Sequence, residues 1–312
     1  MKKIITILLM ILILTGCTKT NSVKIKILIP DGIPTIALGG LFDEENFEVT
    51  IVSGPDLLTS ELIQDNYDII VAPLTAGAKL YIKGSLKYKV ESILTFGNSY
   101  LISRRDIKLD SMADLEGKTI AAFGMNNTPD IILKAALEEA GVVSEIEYEN
   151  SVNDALTNRF LTNDIDYLLT AEPILTKIQT TMKIDINIID LQAVLKSEIA
   201  LIPQAAIFVK ESNENININN FLNKVEDNVL YLNSNPQIYA DTLVSLDANK
   251  YPSFAKLGSP LIALSIPKSN IDYLKVIDNK TLIEKYFQII NKYNPNILGN
   301  SIPSDGFYNE KK

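Results

Sequence analysis

The chain has 312 residues, 46% of them hydrophobic, and a formal net charge of −9. This is too apolar for a disordered protein and long enough for two domains; an acidic balance with no basic patch argues against a nucleic-acid partner. One cysteine allows no intramolecular disulfide, and the lack of any histidine removes imidazole-bound metals together with Ser-His and Cys-His catalysis. Neither a metal nor any other cofactor is expected. With no Trp, aromatic recognition falls to 13 Tyr and 10 Phe.

The chain opens with Lys2 and Lys3, an apolar run over 4–14, and then Leu14-Thr15-Gly16-Cys17. The run is too short to span a bilayer and has the layout of a secretory signal, so 1–16 is predicted as a signal peptide. A sole cysteine directly after Leu-Thr-Gly resembles the lipobox of bacterial lipoproteins. That likeness implies cleavage before Cys17, acylation of Cys17 (palmitate included), a polar tether over 17–22, and a lipid-anchored place on the outer side of the cell membrane. An uncleaved anchor with an incidental cysteine is the alternative.

From residue 23 strands and helices alternate. Strands are predicted over 23–29, 47–52, 67–72 and 89–95, with helices after Pro34 and over 55–64 and 74–82. The programme then repeats: strands over 119–123, 145–149, 166–170 and 184–191, helices over 128–140, 152–161 and 174–181. Repeated βα units of this length imply mostly parallel sheets with helices on both faces. The clearest unit is Asp114 to Gly141. A short apolar strand ends at Gly124, Thr128 is placed as an N-cap with Pro129 at the first helical position, and Gly141 as the stop. Asp130, Lys134 and Glu138 recur every fourth residue and mark the expected polar face.

Two short apolar segments, 96–103 and 203–209, read as crossings between the repeats. After a polar loop over 213–220, helices are expected over 221–233, 237–246 and 280–293. The apolar run 259–266 reads as a strand or packed loop. The tail 304–312 is expected to be mobile unless Phe307 and Tyr308 pack back.

The lipobox, Lys26-Ile27-Leu28-Ile29-Pro30-Asp31-Gly32-Ile33-Pro34, the segment Asp68 to Thr75, the segment Tyr100 to Asp130, Ala171-Glu172-Pro173 and Pro203 to Lys210 together resemble the substrate-binding lipoproteins of ABC importers, in the nitrate/sulfonate/taurine and thiamine-precursor group. The resemblance implies an α/β, two-lobed type II periplasmic-binding-protein-like clamp, each lobe a mostly parallel sheet flanked by helices. One lobe would comprise 23–100 and 206–312, the other 101–205. It implies a monomer that binds a small molecule between its lobes and hands it to a permease with its ATPase, and no enzymatic activity. A lyase or dehydratase on the same clamp, and a ligand-sensing lipoprotein, are the other functions this fold suggests.

Carried over position by position, the cleft would be lined by Asp31, Gly32, Ile33 and Pro34, by Pro73, Leu74 and Thr75, and by Gly97, Asn98 and Tyr100. The second lobe would add Asn126, Asn127, Thr128 and Glu172. Asp31-Gly32 reads equally as simple turn chemistry, and Thr75 and Thr128 equally as helix caps. Tyr100 is core packing or a stacking platform, and Glu172 a ligand carboxylate or a partner of the next helix's dipole. If Asp31 and Glu172 both face the cleft, an amine-bearing or heterocyclic ligand suits them better than an oxyanion or sulfonate.

Overall fold

The computed structural model describes residues 24–53, 55–149, 156–212 and 218–309. The expected signal peptide, Cys17 and its tether lie outside the described residues, as do the start of the helix expected over 152–161 and most of the loop expected over 213–220. Among the described residues no helix is long and apolar enough to cross a membrane.

The first half of the chain runs β1 (Ile25–Pro30), α1 (Ile33–Leu38), β2 (Phe47–Val52), α2 (Pro55–Gln64), β3 (Ile69–Pro73), α3 (Leu74–Ile82) and β4 (Tyr88–Phe96). The second lobe follows as β5 (Ser99–Arg104), β6 (Thr119–Phe123), α4 (Thr128–Ala140), β7 (Glu145–Glu149), α5 (Thr157–Leu161), β8 (Tyr167–Ala171), α6 (Ile174–Thr180), β9 (Ile186–Asp190) and α7 (Leu191–Val194). The chain then returns through β10 (Pro203–Lys210), α8 (Ile218–Ser234), α9 (Pro236–Ser245), α10 (Pro252–Leu257), α11 (Ser259–Ser265), β11 (Ile271–Lys275) and α12 (Val276–Tyr293).

Six strands form the first sheet, in the order β11-β4-β10-β3-β1-β2, and five the second, β7-β6-β8-β5-β9. Both are mixed where mostly parallel sheets were expected. The βα repeats supply the parallel pairs β1–β2, β1–β3, β6–β7 and β6–β8. One strand then enters each sheet from the other lobe and lies antiparallel to both neighbours: β10 between β3 and β4, and β5 between β8 and β9. The passages between sheets fall at Gly97-Asn98 and over 198–202. Ser99 and Tyr100 therefore pair in the second sheet, and Pro203 to Ala205 in the first, opposite to the boundaries read from the sequence.

Local chemistry explains the elements. β3 is buried on both faces through Ile69, Ile70, Val71 and Ala72, as a central strand must be. In α8 the buried residues Phe221, Leu222, Val225, Val229 and Leu232 follow the 3.6-residue repeat. α4 ends at Gly141 in the left-handed conformation (φ +65°), which glycine adopts without steric cost. One apolar core spans both lobes, from Leu28, Ile70 and Phe208 through Phe96 and Ile202 to Leu101, Ile120 and Ile132, with Phe287 and Ile290 of α12 laid across it. Separate cores lie on the other face of each sheet.

Three expectations on the return segment are corrected or settled. Residues 259–265 form α11, not a strand: Pro260 sits in its first turn, and Leu261, Ile262 and Ala263 are buried. β11 was not anticipated. The tail packs back: Phe307 is fully buried among the rings of Tyr81, Phe208, Phe287 and Tyr308, at 5.3–6.2 Å between centroids. Tyr308 bridges to Val90, and the Asn309 N–H donates to the Val90 carbonyl at 2.8 Å.

Candidate functional site

Strand register decides which ends of the two sheets face each other. In the first sheet β1 and β3 end at Pro30 and Pro73, Ala205 near the start of β10 pairs with Pro73, and Phe96 at the end of β4 pairs with Pro203. In the second, Ser99 pairs with Ala171 at the end of β8, and Tyr100 with Asp190 at the end of β9. Only Gly97 and Asn98 separate β4 from β5, so these two sets of strand ends confront one another across the crossing. Ligands of open α/β sheets bind beyond such carboxyl ends.

On the first lobe, Asp31 is held by its own turn. One carboxylate oxygen accepts the Gly32 N–H at 2.9 Å and the other the Ser253 hydroxyl at 2.8 Å. Gly32 has φ +114°, a backbone open to glycine, and Pro34 follows in the first turn of α1 while Ile33 packs into the core. Pro73 is the N-cap of α3 without a side-chain bond, and Leu74 is fully buried. Thr75 is 8% exposed and Asn98 9%. Neither side chain has a hydrogen-bond partner among the described residues.

Tyr100 is not an open stacking platform. Its ring is buried in the second lobe's core, and its hydroxyl donates to the Lys268 carbonyl of the first lobe at 2.6 Å. Burial, with the nearby charges of Asp190 and Glu172, raises that hydroxyl above its ordinary range. Glu172 is 5% exposed at the end of β8. Its carboxylate accepts the Thr176 hydroxyl at 2.9 Å and the Thr176 N–H at 3.3 Å. Burial pushes its pKa up to about 7, against the smaller lowering effects of Thr176 and Lys268.

The loop before α4 departs from its expected chemistry. Asn127, not Thr128, is the N-cap, without a side-chain bond; Thr128 begins the helix and Pro129 is its second residue. The Thr128 hydroxyl lies 3.2 Å from the Tyr286 hydroxyl on α12, and the Asn126 carbonyl accepts the Asn294 amide at 3.1 Å. Asp130, expected on the polar face, is 1% exposed. It accepts the Asn126 N–H (2.8 Å), the Lys134 ammonium (2.9 Å) and the Tyr148 hydroxyl (2.5 Å). That buried carboxylate holds Asn126 in its left-handed conformation (φ +61°) and ties the loop to its own lobe.

Several residues at the strand ends were not anticipated. Lys268 reaches across to the second lobe, its ammonium 2.7 Å from the Gln179 side-chain oxygen. Asp190 caps α7 through the Gln192 N–H at 2.9 Å, a signal legible as an Asp directly after a strand. Gln192 in turn accepts the Ile202 N–H at 3.2 Å, and a side chain on Gly97 would stand 2.9 Å from that same Gln192 oxygen. The crossing is thus close-packed. A cavity of about 170 Å³ lies elsewhere, where α4 and the turn after α7 meet α12, lined by Glu138, Glu139, Glu198, Lys292 and Tyr293. Its Glu138 is already bound by Lys292 and Tyr293. Among the described residues no group of three or more His, Cys, Asp or Glu side chains is placed to hold a metal.

The NMT1/THI5-like family model matches residues 37–237. No curated protein matches the chain in sequence. Among solved structures, an ABC transporter protein from Parabacteroides distasonis superposes with a TM-score of 0.78 at 23% identity, covering 94% of this chain and 100% of that one. The periplasmic aliphatic sulphonate binding protein SsuA from Escherichia coli gives 0.67 at 13% identity, over 93% and 94%. The ligand-binding component of an ABC-type import system from Staphylococcus aureus gives 0.66 at 11%, over 92% and 96%. These likenesses establish the periplasmic-binding-protein fold.

Proposed function

We propose that this chain, which belongs to the NMT1/THI5-like family, is the solute-binding component of an ABC import system, anchored outside the cell membrane by a lipid on Cys17. It closes its lobes on a small molecule and presents it to a permease driven by an ATPase. The observation that carries this reading is the pair Thr75 and Asn98. Both are about nine-tenths buried at the facing strand ends, and neither side chain has a hydrogen-bond partner among the described residues. With no protein group bonded to either, both side chains are free to bond a ligand held between the lobes. Glu172 across the cleft supplies a carboxylate, and the N-terminus of α3 beside Thr75 supplies free N–H groups. The solved relatives, an ABC transporter protein and a sulphonate-binding protein, support the same role.

Only the two crossings join the sheets covalently, so closure on a bound solute is expected to shift the population toward a compact state. Small-angle scattering of the chain saturated with its solute should show a smaller radius of gyration than after the solute is stripped. Identical curves, with binding confirmed in parallel, would count against a clamp.

The anchor has its own test. Cys17→Ser is expected to release the protein from washed membranes and to remove the acyl mass from its N-terminus while leaving the mature fold intact. Two acyl chains hold a protein stably where one is marginal, so the loss should be close to complete. A variant that still sediments with membranes, from a wild type that carries no acyl mass, would refute lipidation.

A further inference from the structure

The floor of the cleft on the second lobe carries more negative charge than its protein partners neutralise. Thr170, Tyr100 and Asp190 stand side by side across β8, β5 and β9. Directly paired residues share a face of the sheet, and Glu172 follows Thr170 by two residues at the same end. Both carboxylates lie close enough to the Tyr100 hydroxyl to help hold its proton. Asp190 spends one oxygen on the α7 N–H groups, and its other oxygen has no hydrogen bond among the described residues. Among the described residues Glu172 is hydrogen-bonded to Thr176 alone. Lys268, whose charge acts on Glu172, gives its ammonium to the neutral Gln179. A second observation is independent of charge: the Thr170 hydroxyl is fully buried and has no partner.

We propose that the solute carries a positively charged nitrogen, an ammonium or amidinium group, seated against Glu172 and Asp190 at this floor. The proposal rests on the solute-binding reading above and names the chemical class within it. Such a group brings the missing charge and several N–H donors at once. Glu172, the unspent oxygen of Asp190 and the Thr170 hydroxyl are all able to accept them. An anionic solute would meet two carboxylates here, and like charges without solvent discriminate strongly. At the other side of the cleft Thr75, Asn98 and the first turn of α3 offer donors, so the rest of the solute is polar and accepts hydrogen bonds.

The test uses the mature chain and two matched sets of probes at millimolar concentration and pH 8: benzylammonium, benzamidinium and ethanolammonium against benzoate, benzenesulfonate and ethanesulfonate. The cations are expected to raise the melting temperature and the anions not to. Glu172→Gln and Asp190→Asn, each conserving shape and, for Asn, the helix cap, should each lose about 10- to 150-fold in affinity for the bound cation. Unchanged circular dichroism of both variants separates this loss from misfolding. Stabilisation by the anions alone, or cation binding that survives both substitutions, overturns the proposal and leaves solute binding standing. If no probe binds, the molecule released from protein purified from its own cells decides: a cationic one supports the proposal and an anionic one overturns it. A chain that binds no probe and carries no small molecule loses both readings.

Discussion

Glu172→Gln is expected to stabilise the solute-free protein at pH 8 by about 3 kcal/mol and to flatten its stability between pH 4.5 and 7. The carboxyl has an ordinary value of 4.5 and rises to about 7 in the fold, because burial disfavours its charged form. Below about pH 4.5 both the native and unfolded chains hold the proton, and no penalty exists. As the pH rises, the unfolded chain ionises first while the native state keeps its proton, so stability falls across that window. Above about 7 the full penalty remains, and a rise from 4.5 to about 7 corresponds to about 3 kcal/mol. A glutamine keeps an oxygen for the Thr176 hydroxyl and never ionises. The melting temperature at pH 8 should rise by roughly 5 °C, with little difference from wild type at pH 4. A variant no more stable than wild type at pH 8 would show that Glu172 is solvated in solution. Stability withheld in this way is the usual cost of keeping a charged group ready for a ligand, the role proposed for Glu172.

Phe307→Ala should destabilise the protein by about 3–5 kcal/mol, the cost of removing a fully buried aromatic side chain and leaving a cavity behind. Its ring is packed against Tyr81, Phe208, Phe287 and Tyr308 and has no exposed surface. The segment that carries it is fastened by more than this ring: Tyr81 bonds Ser304 at 2.7 Å, and Lys280 pairs with Asp305. Urea unfolding followed by circular dichroism measures the change, with the denaturant slope unaltered. A loss below about 1 kcal/mol would mean that the tail is not part of the core of the first lobe.

The difference between these two residues also marks what could be read without coordinates. Phe307 and Tyr308 stand out in the sequence as aromatics in a polar tail, but whether a tail docks depends on a hole elsewhere, here between Phe208 and Phe287. The βα repeats, the stop at Gly141 and the buried run of β3 are local signals, and the structure follows them. The run 259–266 was ambiguous because a short apolar stretch suits a strand, a loop or a helix, and Pro260 decides for the helix only once its position in the first turn is known. Asp130 fits a helical polar stripe by spacing, and only the partners Asn126, Lys134 and Tyr148 draw it inside. The mixed sheets depend on which strands β5 and β10 insert between, and no local pattern encodes that. At the candidate site, Thr75, Asn98 and Glu172 were reached through resemblance and Asp190 carried a local cap signal, whereas Lys268 became visible only through its bonds to Tyr100 and Gln179 across the lobes.

Native mass spectrometry of the mature chain, purified from its own cells without dialysis, tests the central claim most directly. One small molecule per chain is predicted, released on unfolding. Occupancy should fall by about 5- to 150-fold in affinity terms when Thr75→Val or Asn98→Ala removes a single buried hydrogen bond. A chain that flies empty under conditions that keep it folded, or a bound molecule held equally by wild type and both variants, would contradict solute capture at this cleft.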